Sequence, residues 1–106
     1  MSIHNIALQK RWRGLVLELV YDGHRKQESR LDDLTLWGLM RDLGHGDVSQ
    51  SDVITLLQDL RDRRYLRFNQ EKNDYSGRIT ISQIEITPEG RDLVEKIRTS
   101  DAVRIL

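Results

Sequence analysis

The sequence predicts an α+β fold in which three helices are followed by a β-hairpin and a further helix. Three observations predict it. Apolar residues recur at spacings of three and four between residues 6 and 64; the period changes to two between residues 65 and 86; and Thr-Pro-Glu-Gly at 87–90 opens a new helical pattern.

Composition narrows the functional classes. A chain of 106 residues is sized for one domain, and the whole of 1–106 is read as one. The absence of cysteine excludes disulfides, thiolate metal sites and cysteine nucleophiles, and suits a reducing compartment. No apolar run approaches the ~20 residues of a membrane span, and the N-terminus has no signal-peptide core, so a cytoplasmic location without membrane contact is expected. Net charge is zero but unevenly placed. Residues 1–30 hold six Lys and Arg against three Asp and Glu, residues 31–62 two against seven, and residues 63–106 nine against seven, so an acidic middle lies between basic flanks.

The first helix is expected over residues 6–21, with Leu8, Trp12, Leu15, Val16, Leu19 and Val20 as its buried stripe and Asp22-Gly23 as its stop. After the polar connector HRKQESR, a second helix should run from residue 31 or 32 to 43. Leu36, Leu39, Met40 and Leu43 face inward in this reading, and Gly44 follows the last turn. Asp32 and Asp33 resemble a carboxylate pair, yet adjacent helical residues diverge by about 100°, so they read as favourable charge at a helix N-terminus. Trp37 is expected to be in the core. Ser49 followed by Asp52 approximates a capping box for a third helix ending near residue 64, with Val53, Leu56, Leu57 and Leu60 buried.

Leu66 and Phe68, then Ile79 and Ile81, then Ile84 and Ile86 mark two strands, and the step from Ile81 to Ile84 suggests a bulge. The polar sequence EKNDYSG joins them. Thr87 is an N-cap and Pro88 the first helical residue of a fourth helix over about 88–98, which buries Leu93, Val94 and Ile97.

This order is that of a winged helix-turn-helix, with the helix-turn-helix at about 31–64, the wing at about 65–87 and the C-terminal helix at about 88–98. The stretch LLQDLRDRRYLRF, residues 56–68, resembles the end of the recognition helix entering the first wing strand in MarR-like and PadR-like regulators, with Tyr65 where a glycine is common. ITPEGRDLV, residues 86–94, resembles the junction after the wing in the same families, and the size and layout are similar to short winged-helix proteins of Mu-like prophages. The resemblance implies a small DNA-binding transcriptional regulator of prokaryotic or phage type, and a homodimer held by helices outside the helix-turn-helix. Both motifs concern structure, so DNA binding follows by association.

A rotation of about 100° per residue sets Ser51, Thr55, Gln58 and Asp62 opposite the buried face of the third helix, and Ser51, Thr55 and Gln58 are candidates there to read base edges of double-stranded DNA. Asp52, Asp59 and Asp62 flank them and oppose phosphate contact. Candidate phosphate contacts are Arg25, Lys26 and Arg30 in the connector and Arg61, Arg63, Arg64, Lys72 and Arg78 around the wing. Lys10, Arg11 and Arg13 on the first helix and Arg67 on the first strand are further cations. Leu8, Trp12, Leu15 and Leu19 with Val103, Ile105 and Leu106 are the candidate dimer contact; the alternative is that the tail folds over its own first helix. An enzyme is not expected: His4, His24 and His45 lack metal-ligand spacing and read as solvated, no phosphate loop or nucleophile motif occurs, and neither metal nor cofactor is implied. The alternative to DNA binding is a protein-interaction or assembly module built on the same fold.

Overall fold

The computed structural model describes residues 6–25 and 31–106, residues 24 and 25 by backbone alone. Among them are four helices and a two-stranded antiparallel hairpin, in the order α1 (Ile6–Arg25), α2 (Asp33–Asp42), α3 (Gln50–Asp62), β1 (Leu66–Lys72), β2 (Ile79–Ile86) and α4 (Pro88–Val94). The architecture is α+β and compatible with a winged helix. No described helix is long and apolar enough to cross a membrane.

Helix α1 runs through the Asp22-Gly23 stop expected for it and continues to Arg25. Gly23 sits inside the helix, and Leu31 packs onto it so closely that an added Cβ would lie 2.9 Å from Leu31 Cδ1. The helix is also more enclosed than a single stripe allows. Leu15, Val16 and Leu17 are buried in succession together with Trp12 and Val20, which brings in Leu17 from outside the expected face, while Leu8 and Leu19 are half-buried at the edge of the core. Three consecutive residues span about 200° of helix, so neighbours must cover α1 on several sides. Helices α2, α3 and α4 and strand β2 all touch it.

Asp32 caps α2 by accepting from the Thr35 N–H at 2.7 Å. Gly44, at φ +95°, ends the helix: its N–H donates to Arg41 O and the His45 N–H to Met40 O, each at 3.0 Å. Leu36 and Met40 are buried, but Leu39 and Leu43 are exposed, at 36% and 57%. The inward face of α2 is therefore half the width expected. Trp37 is half-buried, its Nε1 donating to Val48 O at 2.9 Å and its ring lying under Arg41. His45, expected to be solvated, is half-buried and accepts from Trp12 Nε1 at 3.2 Å.

The hairpin pairs Leu66 with Ile86 and Arg67 with Glu85, then Asn69 with Ser82, so β2 carries one extra residue between Ile81 and Ile84 as the spacing of isoleucines suggested. Gln83 takes φ +54° there. Leu66, Ile81, Ile84 and Ile86 enter the core. Two strands alone are marginal in water. Here residues 31–33 also bond to β2: the Ile84 N–H donates to Leu31 O and the Ile81 N–H to Asp33 Oδ1, both at 3.2 Å.

Thr87 joins the hairpin to α4 and to the end of α3. Its Oγ1 accepts from the Gly90 N–H at 3.1 Å and donates to Arg64 O at 2.7 Å, while its own N–H donates to Tyr65 O at 3.1 Å. A Cβ on Gly90 would collide with Tyr65 O. Helix α4 then stops at Val94, short of the expected residue 98, because Lys96 turns to φ +62° and the Ile97 N–H closes back on Asp92 O at 2.8 Å. The break removes Ile97 from the helical stripe and leaves it 70% exposed.

The C-terminal segment lies along α1. The Arg104 N–H donates to Lys10 O at 3.0 Å, Arg11 Nη1 donates to Arg104 O at 3.1 Å, and the Leu106 N–H donates to Glu18 Oε1 at 3.1 Å. The approach requires glycine at position 14, where a Cβ would collide with Arg104 O. Of the residues considered for a dimer contact, Trp12, Leu15 and Val103 are buried within the one chain, Leu8, Leu19 and Ile105 pack at its margin, and Leu106 is exposed. A dimer built on this face would have to displace that intrachain contact.

Leu56→Ala or Leu60→Ala is expected to cost about 2 to 5 kcal/mol in denaturant unfolding, as truncation of a filled core does. Gly90→Ala should also lower the melting temperature, whereas Ile97→Ala should stay within about 0.5 kcal/mol of wild type. Wild-type melting of Gly90→Ala would refute the tight Thr87–Gly90 junction.

Candidate nucleic-acid interface

Helix α3 begins with a complete capping box. The Asp52 N–H donates to Ser49 Oγ and the Ser49 N–H to Asp52 Oδ2, each at 3.0 Å. With Val53, Leu56, Leu57 and Leu60 buried, Ser51 and Thr55 are exposed and Gln58 is half-exposed beside them. Thirteen residues make a rod of about 20 Å, enough to cross a major groove.

The three candidate readers are not equally free. Ser51 Oγ shares a hydrogen bond with Ser49 Oγ at 3.1 Å, and Thr55 Oγ1 donates to Ser51 O at 3.1 Å, which leaves its lone pairs available. Gln58 Nε2 donates to Gln70 Oε1 of β1 at 3.2 Å. That bond fixes the amide plane against the hairpin, so Gln58 has its own carbonyl oxygen and one N–H left for a ligand.

A groove of about 560 Å3 separates α3 from the hairpin. Ser51, Thr55 and Gln58 line one side, Gly77, Arg78 and Ile79 the other. The turn beyond is shaped by Asn73, whose Oδ1 accepts from the Tyr75 and Ser76 N–H groups at 2.8 and 3.0 Å, and by Gly77 at φ +72°. Tyr75 at its tip is fully exposed. No local pattern in the sequence singles it out.

The phosphate candidates fall into three groups. Arg64, Lys72 and Arg78 are exposed, with no side-chain partner among the described residues. Arg61 lies over the Phe68 ring, 5.0 Å from its centroid, and contacts Gln70 Oε1 at 3.4 Å and Asp62 at 3.6 Å; Arg63 Nε donates to Asp59 Oδ2 at 3.1 Å. The side chain of Arg25, and Lys26 and Arg30 entirely, lie outside the described residues. Arg67 pairs with Glu85 at 3.4 Å across the strands. Arg64 holds the left-handed conformation that ends α3, at φ +68°, so the turn falls one residue before Tyr65.

Tertiary structure changes the meaning of the acidic residues on α3. Asp52 is buried in the capping box. Asp59 sits between two arginines: Arg13 Nε of α1 lies 2.7 Å from Asp59 Oδ2, at an angle that makes an ion pair without an aligned hydrogen bond, and Arg63 approaches the same oxygen. Arg13 also donates from Nη1 to Ala102 O at 2.9 Å, tying α1, α3 and the tail together. Asp62 is the exposed carboxylate of the three, beside Arg61. The Asp59–Arg63 pair is visible in the sequence as an i,i+4 spacing, but no local signal announces Arg13.

Among the described residues no cluster of three or more His, Asp or Glu side chains is arranged to hold a metal ion. Neither models of known protein families nor curated proteins match this chain.

Asp59→Ala should cost about 1 to 3 kcal/mol, because it takes the carboxylate from the half-buried Arg13 guanidinium and leaves it Ala102 O alone. Asp62→Ala, which removes an exposed pair, should change stability by no more than about 0.5 kcal/mol. Equal effects in chemical denaturation would show that Asp59 has no special place in the packing.

Proposed function

We propose that the chain is a small DNA-binding regulator of winged-helix type, acting by binding alone, with α3 directed to the major groove and the hairpin to the phosphate backbone. One observation carries this reading. The stretch of α3 that bears Ser51, Thr55 and Gln58 is uncharged and opens on a groove lined by Arg78 and the buried Asp33, while of the three carboxylates on α3 two are held by partners within the protein and Asp62, one turn beyond Gln58, stays exposed. A neutral hydrogen-bonding face between cations is the arrangement that separates base reading from phosphate contact.

The cationic footprint is small. Arg64, Lys72 and Arg78 supply about three phosphate contacts, and each neutralised phosphate contributes roughly −0.9 to the slope of log K against log salt. The slope for a monomer on random duplex DNA is therefore expected near −3, shallow for a DNA-binding protein.

A second reading, a protein-interaction module, draws on α2. Leu39 and Leu43 stand one turn apart with their side chains exposed, and Leu34 is exposed on the same helix. Such residues suit an apolar partner and have no role in phosphate contact.

Fluorescence anisotropy with a random duplex at several salt concentrations separates the two. Lys72→Ala with Arg78→Ala should weaken binding to all sequences and reduce the slope by about two. Gln58→Ala should leave random-DNA affinity nearly unchanged and flatten the preference among selected sites. Wild-type protein that shows no salt-dependent binding would refute the DNA reading and favour the α2 surface.

A further inference from the structure

A second groove, on elements other than those of the DNA reading, lies between α1, the end of α4 and the C-terminal segment. It is an open cleft of about 560 Å3, a volume within the ~300 to 1,000 Å3 of small-molecule sites. Four cations line it: Lys10, Lys96, Arg98 and Arg104. Asp101 is the carboxylate among the lining residues. None of the four cationic side chains has a partner among the described residues, as holds also for Arg64, Lys72 and Arg78 around the hairpin, while Arg11, Arg13, Arg63 and Arg67 are each paired with a carboxylate.

The backbone holds these charges near one another. Lys96 is fixed at φ +62° by the turn that ends α4, where its N–H donates to Leu93 O at 3.1 Å. Arg104 is pinned to α1 through its own N–H and carbonyl. Lys10 stands half-buried on α1, next to that contact. Like charges gathered around one hollow repel, and an anion placed among them relieves the repulsion. The carbonyl end of α4 does not oppose it, since the Arg91, Asp92 and Leu93 oxygens accept from Glu95, Ile97 and Lys96. The floor differs in chemistry from the rim: Leu93 and Val103 are buried apolar residues, with Ile105 half-buried beside them.

We propose that this groove binds a small phosphorylated ligand with an apolar or planar body, of the nucleotide class. The cationic rim takes the phosphates and the apolar floor takes the body. The site is independent of the DNA reading and stands or falls separately from it.

The test uses the full chain, with ADP and inorganic pyrophosphate as probes and amide chemical shifts and calorimetry as readouts. ADP should bind below about 1 mM and more tightly than pyrophosphate, with shifts in residues 96–105. Lys96→Gln with Arg98→Gln should weaken ADP binding about tenfold or more, as loss of charge-assisted hydrogen bonds does. Arg104→Gln, a single exposed change, provides a second variant, and both should melt like wild type. Lys72→Gln with Arg78→Gln, in the hairpin, should bind ADP unchanged. No ADP binding at about 1 mM, or binding unaffected by both groove variants, overturns the proposal. So does a short DNA duplex that shifts residues 96–105 where ADP does not, because the groove would then serve nucleic-acid phosphate.

Discussion

The enclosure of α1 is the constraint on which the other elements depend. A helix with Leu15, Val16 and Leu17 buried in succession cannot rest on a single neighbour, and each further layer of the molecule closes one of its sides. Helices α2 and α3 cover one part, β2 and α4 another, and the C-terminal segment crosses at Gly14. Fully burying one leucine side chain contributes on the order of 1.5 to 3 kcal/mol, so losing any of these covers exposes a large fraction of the marginal stability of a small domain. The tail is thus part of the packing. Val103 is buried in the core and Ala102 and Ile105 pack at its margin, while Leu106 stays exposed.

Arg13 shows how this packing reaches the surface proposed for DNA. On α1 it is half-buried, and it meets both Ala102 O in the tail and Asp59 on α3. Asp59 in turn holds Arg63. The carboxylate is thereby committed to the side of α3 that meets α1, and the outward face keeps Ser51, Thr55 and Gln58, with Asp62 at its end. Asp33 repeats the pattern on α2, where it is buried and accepts the Ile81 N–H of β2. Asp32 and Asp52 cap their helices. Four of the seven acidic residues between 31 and 62 are therefore structural, and formal charge overstates how strongly this segment repels a polyanion.

Three helix ends share one geometry with different residues. Gly44, Arg64 and Lys96 each adopt positive φ after α2, α3 and α4, and in each case the next N–H closes back on the helix. Glycine takes that conformation without strain, while a residue with a Cβ is held there by its surroundings. At Arg64 the surroundings are the Thr87 hydroxyl on its carbonyl and the start of β1. The turn sets an unpaired cation at a fixed place between α3 and the hairpin, where a flexible loop would let it wander.

By itself the sequence determined what rests on contacts between near neighbours in the chain. The capping box at Ser49, the Thr87-Pro88 start of α4, the Gly44 stop, the α3 stripe and the bulge between Ile81 and Ile84 are all local patterns, and the structure has each of them. The same patterns set Ser51 and Thr55 on the exposed face of α3. Tertiary structure decided the rest. Periodicity gives the direction of a face but not how many neighbours cover it, so it does not single out Leu17 and points Leu39, Leu43 and Ile97 inward, where the structure exposes them. Composition counts charges but not their partners, so the fate of Asp33, Asp59 and Arg13 was invisible: their partners lie on other elements, brought within reach when the chain closes around α1.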